Sequence, residues 1–238
     1  MRINVLDHGY VTLRNISGPI RRASQPFDAD DTDPANAARF SFDAADQETR
    51  VREDDLKLAR YLWKNRHTTP FEMVEVWLEM QMPIFVARQF VRHRTVSINE
   101  VSARYVQLPK QFYIPDPAVI GVKAVSNKQG RTIGGKENPA AEQFTDELQD
   151  LCSLAYGIYE HSLSNGIPNE IARCVLPLNI YTKWLWNQDL HNLMHFLELR
   201  LHPHAQYESR CYAQAIYELM SRVLPETMKM VGEQDGHT

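Results

Sequence analysis

Cysteine is scarce. Cys152, Cys174 and Cys211 are the only three in 238 residues. An odd, sparse set without a CxxC pair argues against a disulfide scaffold and reads as small buried hydrophobes in a reducing compartment. No apolar run approaches membrane-spanning length, and the opening MRINVLDHGY lacks the hydrophobic stretch of a signal peptide, so a cytoplasmic protein is expected. The chain also lacks a strong charge bias. A net charge of −4 speaks against a polyanion partner such as nucleic acid, so any anion site must be local. No HExxH occurs. His191 and His195 are four apart, and His202 and His204 follow, but no acidic or cysteine ligand has a matching spacing, so no metal is expected. No internal repeat is visible.

What is present suits an ordinary globular protein, with 43% hydrophobic and 24% charged residues. A chain this long buries roughly 70% of its unfolded surface, enough for a core without metals or disulfides. A single domain over 1–238 is expected, loop-rich at 17–49 and 115–139, with a partly frayed tail at 225–238. Apolar residues on both sides of Gly9 suggest one or two strands in 2–16. Pro34 suits the first turn of a short helix. Residues 49–66 carry Val51, Leu58, Ala59 and Leu62 on one helical face. Residues 73–82 alternate strictly, Val74, Val76, Leu78, Met80 and Met82 against Glu75, Trp77, Glu79 and Gln81, which predicts a strand. A short helix follows from Pro83 to about His93, then an ordered loop over 94–105.

A long amphipathic helix is expected over 139–163, with Phe144, Leu148, Leu151, Cys152, Ala155 and Tyr159 as its stripe. A turn at 169–173, a strand at 178–186, a helix from the N-cap Asp189 to Leu201 and a last helix over 204–224 complete the pattern. Helices with a few strands, not strictly alternating, favour an α+β arrangement over a doubly wound sheet.

One stretch is unlike the rest. Residues 88–105 hold four arginines, Arg88, Arg92, Arg94 and Arg104, together with Gln89, His93, Ser97, Asn99, Glu100 and Ser102. Cations at a helix end complement its dipole, but that leaves the donors and acceptors of the following loop unexplained. Guanidinium forks pair with phosphate, and serine and backbone donors can complete such a cradle. Glu100 would orient the arginines or bind a sugar hydroxyl. The stretch therefore reads as a phosphate or nucleotide site. A second candidate, Gly130-Arg-Thr-Ile-Gly-Gly135-Lys136-Glu137, nearly matches the phosphate-binding loop but puts glutamate where a magnesium-binding hydroxyl belongs. Arg173 and Arg200 each end a predicted helical segment, and no spacing ties them to 88–105.

Arg92-His93-Arg94, seven residues, then Ser102 resembles the signature of the flavin-dependent thymidylate synthases. The likeness extends to Ser97, Asn99-Glu100 and Arg104-Tyr105, to His67-Thr-Thr-Pro-Phe-Glu72, to Asn169–Thr182 and to His195–Arg200 with His204-Ala-Gln206. The resemblance implies an α+β fold of the thymidylate synthase-complementing-protein type, with helices around a small, mainly antiparallel sheet. It further implies a homotetramer with sites where subunits meet, FAD as cofactor, dUMP as substrate, and 5,10-methylenetetrahydrofolate and NADPH as co-substrates, giving dTMP and tetrahydrofolate.

Matched position by position, the resemblance implies that Thr69, Arg92, His93, Arg94, Glu100, Asp189, Leu190, His191 and His195 contact FAD. Gln89, Phe90, Val91, Arg92, Glu100, Val101, Ser102, Ala103, Arg104, Arg173 and Arg200 would hold dUMP, with Arg200 against the uracil as the catalytic residue, and His67 would line the folate side. Uracil carbon 5 is a poor nucleophile. No cysteine lies in the signature to activate it, and Cys174 has no evident base. A flavin hydride with arginine stabilising the developing charge dispenses with a thiol. The competing class is a non-catalytic nucleotide-binding protein that uses Arg92, Arg94 and Arg104.

Overall fold

The computed structural model describes residues 1–19, 28–42, 51–124, 130–133 and 138–232. β1 (Arg2–Val5), β2 (Gly9–Ser17), β3 (Glu75–Pro83), β4 (Ser97–Glu100) and β7 (Tyr181–Asp189) form one sheet in the order β1-β2-β3-β7-β4, every pair antiparallel. β5 (Val122–Lys123) and β6 (Arg131–Thr132) make a separate ribbon. Mixed helices around a small antiparallel sheet are the expected α+β arrangement.

The alternation of β3 does what its period demands. Val76, Leu78, Met80 and Met82 are buried, while Glu75, Trp77, Glu79 and Gln81 lie half-exposed on the other face. In β2 a register shift between Leu13 and Asn15 brings Leu13 and Ile16, three apart, to the same buried side. Gly9 is required at the hairpin, because a Cβ there would meet the Tyr212 hydroxyl at 1.9 Å and the Val5 carbonyl at 2.7 Å.

Helices α2 (Arg52–Lys64), α8 (Leu190–Leu201) and α9 (Tyr207–Ser221) join the core with the sheet. Asp189 caps α8 as its sequence suggests, its Oδ1 accepting from the Asn192 N–H at 2.9 Å, a bond worth about 1 kcal/mol. Short helices α1 (Asp33–Arg39, with Pro34 in its first turn), α3 (Thr69–Glu72), α4 (Ile84–Phe90), α5 (Pro117–Ile120), α7 (Asn169–Ala172) and α10 (Pro225–Met228) fill the connections. The long α6 (Ala141–Ser164) packs Cys152, Tyr156 and Tyr159 on a second apolar cluster with Ala103, Leu108, Phe112, Ala172 and Ile180.

Several expectations are corrected. Residues 97–100, read as loop, are β4. Its only inward apolar residue is Ile98, so the chain shows no alternation there, yet its backbone pairs with β7 from Asn187 to Trp184. The strand placed at 178–186 runs 181–189, because Pro177–Ile180 closes as a turn, with Ile180 N–H on Pro177 O at 3.1 Å. The helix expected to run to about His93 stops at Phe90, and His93 N–H turns back onto Phe90 O at 3.0 Å, so Arg92 is off the helix. The last long helix starts at Tyr207 rather than 204, after a turn in which Ala205 N–H reaches His202 O.

Val51 lies outside α2 and is exposed. The stripe of α6 is divided: Phe144 and Leu151 are half-exposed beside Leu154 and Ile158, so this helix has a second apolar face. The tail is docked as far as residue 232. Met228 and Met230 are buried, Trp63 Nε1 donates to Met230 O at 3.0 Å, and Thr227 N–H and Oγ each donate to Asp31 Oδ1 at 2.8 Å. Residues 134–137 of the near-match loop, residues 49–50 and residues 233–238 lie outside the described residues.

Candidate active site

Arg200, in the last turn of α8, reaches across to the segment after α4. Its Nε donates to His93 Nε2 at 3.0 Å and its Nη2 donates to the Gln89 carbonyl at 3.1 Å. The His93 ring lies edge-on to Phe196, centroids 4.8 Å apart. Burial first, then the positive charges of Arg200 and His195, push the His93 pKa down to about 4. His93 is therefore neutral at pH 7. It must carry its proton on Nδ1, because Nε2 accepts from a guanidinium that can only donate. Burial also lowers the Arg200 pKa, but an arginine stays charged at neutral pH.

Gln89 and Arg200 open on a cavity of about 720 Å³ whose polar walls include Arg131, His204, Gln206 and Arg210. A second cavity, of about 310 Å³, is lined by Glu100, Val101, Ser102, Ala103, Arg173 and Thr182 over an apolar floor of Ile84, Leu108, Leu176 and Ile180. Two hydrogen bonds to backbone carbonyls shape the loop that builds it: Val101 N–H to Lys183 O at 2.9 Å, and the Tyr156 hydroxyl to Leu108 O at 2.8 Å. Thr182 donates its hydroxyl to Glu100, and Arg104 is tethered at 3.1 Å to Glu170, in the short helix α7 just before Arg173. Ser102 Oγ accepts from the Arg104 N–H at 3.3 Å, which leaves the hydroxyl proton available to a ligand.

A third cavity, of about 220 Å³, gathers His67, His191 and His195 with Arg66 and Glu198. The His191 ring packs edge-on to Trp63, and its buried Nδ1 has no hydrogen-bond partner among the described residues. His67 also lines an adjoining apolar hollow with Thr69, Phe40, Phe42 and Tyr61. Among the described residues no group of three or more His, Cys, Asp or Glu side chains could hold a metal.

The expected site residues thus fall into separate places within one chain. Glu100, Val101, Ser102, Ala103 and Arg173 share one cavity, Gln89 and Arg200 another, and His67, His191 and His195 a third. Arg92, Arg94, Val91 and Arg104 are exposed, and among the described residues Arg92 and Arg94 make no ion pair. Two expected contacts are not open to side chains. Phe90 is fully buried between Phe196, Trp186 and Tyr212, and Leu190 is fully buried in the core, its N–H spent on Val74 O at 2.8 Å. Asp189 spends its carboxylate on capping α8.

Thr182, Arg131 and Glu208 escaped sequence reasoning. Thr182 sits in a strand, where its hydroxyl has no motif. Arg131 belongs to the ribbon read as loop. Glu208 did leave a signal, a carboxylate four and eight residues before the buried Tyr212 and Ile216 on the inward face of α9.

The fold matches that of a solved nucleotide-methylating enzyme. A UMP/dUMP methylase, PolB from Streptomyces cacaoi, solved with 5-Br dUMP, superposes with a TM-score of 0.81 at 30% identity, covering 95% of this chain and 96% of that one. The family described as thymidylate synthase complementing protein matches residues 25–226. A flavin-dependent thymidylate synthase of Gluconobacter oxydans is 41% identical over 226 residues, covering 94% of this chain and 70% of that protein. One of Rickettsia prowazekii is 38% identical over 243 residues, with 97% and 78% covered. The chain belongs to this family, the flavin-dependent thymidylate synthases, and is an enzyme.

Proposed function

We propose that the enzyme converts dUMP to dTMP with 5,10-methylenetetrahydrofolate as carbon donor, NADPH as reductant and FAD as cofactor. The observation that carries this reading is Arg200, a half-buried guanidinium braced by a neutral imidazole and a carbonyl at the wall of a cavity. Neither brace cancels its charge. Placed against a uracil, it favours the ring's ionised form and raises the electron density at carbon 5, the task that other thymidylate synthases give to a cysteine. The cysteines lie elsewhere: Cys152 is on the buried face of α6, Cys174 is exposed beside Glu170, and Cys211 does not line this cavity.

The donor set fits a flavin dinucleotide. Arg92 and Arg94 have exposed guanidinium groups with no competing carboxylate among the described residues, which suits a diphosphate. His191 offers an unpartnered ring nitrogen beside His195 and Thr69 lies nearby in sequence to His67. Bound there, FAD supplies the hydride that completes the methyl group. Ser102, Arg173, Arg104 and the Ala103 main chain hold the phosphate end of dUMP, Glu100 the sugar, and Gln89 and Arg200 the base. His67 faces the folate.

These groups line different cavities of one chain, so a complete site needs more than one copy. The exposed apolar face of α6 (Phe144, Leu151, Leu154, Ile158), with Ile167, Ile171 and Leu178 also exposed, supplies a surface for that assembly, which we assign as a homotetramer. The whole of 1–238 acts as one domain. The test is optical. Purified protein reconstituted with FAD shows flavin absorbance, NADPH bleaches it, and dUMP with the folate donor restores it with release of dTMP. A preparation that cannot take up FAD, or a bleached form that yields no dTMP, refutes the reading.

A further inference from the structure

Glu208 is 1% exposed, yet its carboxylate is saturated with donors. Oε1 accepts from Arg131 Nη2 at 2.6 Å and Tyr113 OH at 3.0 Å, and Oε2 accepts from Gln206 Nε2 at 2.9 Å. Burial pushes its pKa up, but the hydrogen bond and charge of Arg131 outweigh this and hold it below the usual carboxylate value. Glu208 is thus an anion and can only accept.

That fact propagates. Gln206 must turn its NH₂ toward Glu208, so its carbonyl faces the other way and accepts from Gln89 Nε2. Gln89 must then turn its own carbonyl away, where it accepts from the hydroxyl of fully buried Ser209 at 3.0 Å. An isolated glutamine can present either end to a ligand. Here the carboxylate sets the first amide and the first amide sets the second. Among the described residues Gln89 keeps one N–H without a partner at the wall of the cavity it shares with Arg200, and a guanidinium also only donates.

We infer that the Glu208–Gln206–Gln89 relay fixes a donor-only edge beside Arg200, and that this edge selects a 4-oxo pyrimidine nucleotide against its 4-amino counterpart. The inference rests on the proposed seat of the base at Gln89 and Arg200. A ring oxygen accepts from such an edge. An exocyclic amine sets donor against donor and leaves buried N–H groups unpaired, a mismatch that recognition sites reject strongly. Glu208 acts as a positioning residue through Gln206, while Gln89 makes the contact.

The test is the ratio of dCMP to dUMP dissociation constants, by calorimetry on the FAD-loaded protein, for wild type, Glu208→Gln and Gln206→Leu. In Glu208→Gln the residue can donate or accept, so the relay loses its direction. The ratio is expected to narrow roughly tenfold, the scale of one directed hydrogen bond, while flavin loading and thermal melting show the protein folded. Gln206 is exposed, so Gln206→Leu carries the test if the buried substitution prevents folding, and it too narrows the ratio. Folded variants that bind dUMP and keep the wild-type ratio overturn the relay alone. Wild-type protein that binds no dUMP overturns the proposed function and the relay together.

Discussion

His93 Nε2 accepts a hydrogen bond from Arg200 Nε at 3.0 Å across 107 positions of sequence. The pair joins the middle of the signature to the end of a helix that sequence spacing could not relate to it. It also fixes the ionic state of the site. The imidazole stays neutral and the guanidinium keeps its charge, so the charge faces the cavity instead of being spent on a carboxylate.

Replacing Arg200 with alanine removes that charge and leaves a half-exposed position that a small side chain tolerates. Turnover is expected to fall by about 10²- to 10³-fold, the scale of losing one preorganised electrostatic group, with the melting temperature nearly unchanged. Steady-state dTMP formation and a thermal melt check both. An Arg200→Ala enzyme with wild-type turnover removes the catalytic assignment.

The pKa of His93, depressed from 6.5 to about 4, makes stability depend on pH. The unfolded chain holds the proton more tightly than the folded one, so protonation favours unfolding. The stabilisation is complete above about pH 6.5 and is lost as pH falls toward 4. Melting temperatures taken between these limits should decline for the wild type and decline less for His93→Gln, whose amide oxygen can still accept from Arg200. Parallel curves for the two proteins remove His93 as the titrating group.

Cys174 is exposed on the turn after α7, its thiol 3.7 Å from the Glu170 carbonyl and outside the Arg200 cavity. Cys174→Ala is expected to retain most of the wild-type turnover. Complete loss in a folded, FAD-loaded variant would reopen a thiol mechanism.

Leu154 is 64% exposed and Ile158 46% exposed on the outer face of α6. Two glutamates there, Leu154→Glu with Ile158→Glu, put like charges on an apolar surface that a partner copy would otherwise cover. Light scattering should show the mass of the proposed tetramer reduced, and turnover should fall with it. A monomeric wild type, or an unchanged mass in the double variant, removes this face as an interface.

The long helices and β3 were legible because burial imposes a period, and that period is written in the order of apolar residues, as in Val76, Leu78, Met80 and Met82. β4 was not legible. It sits at the sheet edge, and backbone pairing with β7 leaves almost no side-chain pattern. The division of α6 into two apolar faces was equally hidden, because periodicity reports that Leu151 and Cys152 are apolar and not that one is exposed and the other buried.

The sequence by itself determined the family, through the run from Arg92 to Ser102, and the chemical kind of each candidate ligand, since an arginine donates wherever it lies. Tertiary structure alone decided which of those groups share a cavity. It buried the side chains of Phe90 and Leu190, brought Arg200 to His93, and set Glu208 beneath Gln206. Hydrogen-bond direction and local charge depend on what lies within about 3 Å in space, and chain order carries no record of that once the neighbours come from different elements.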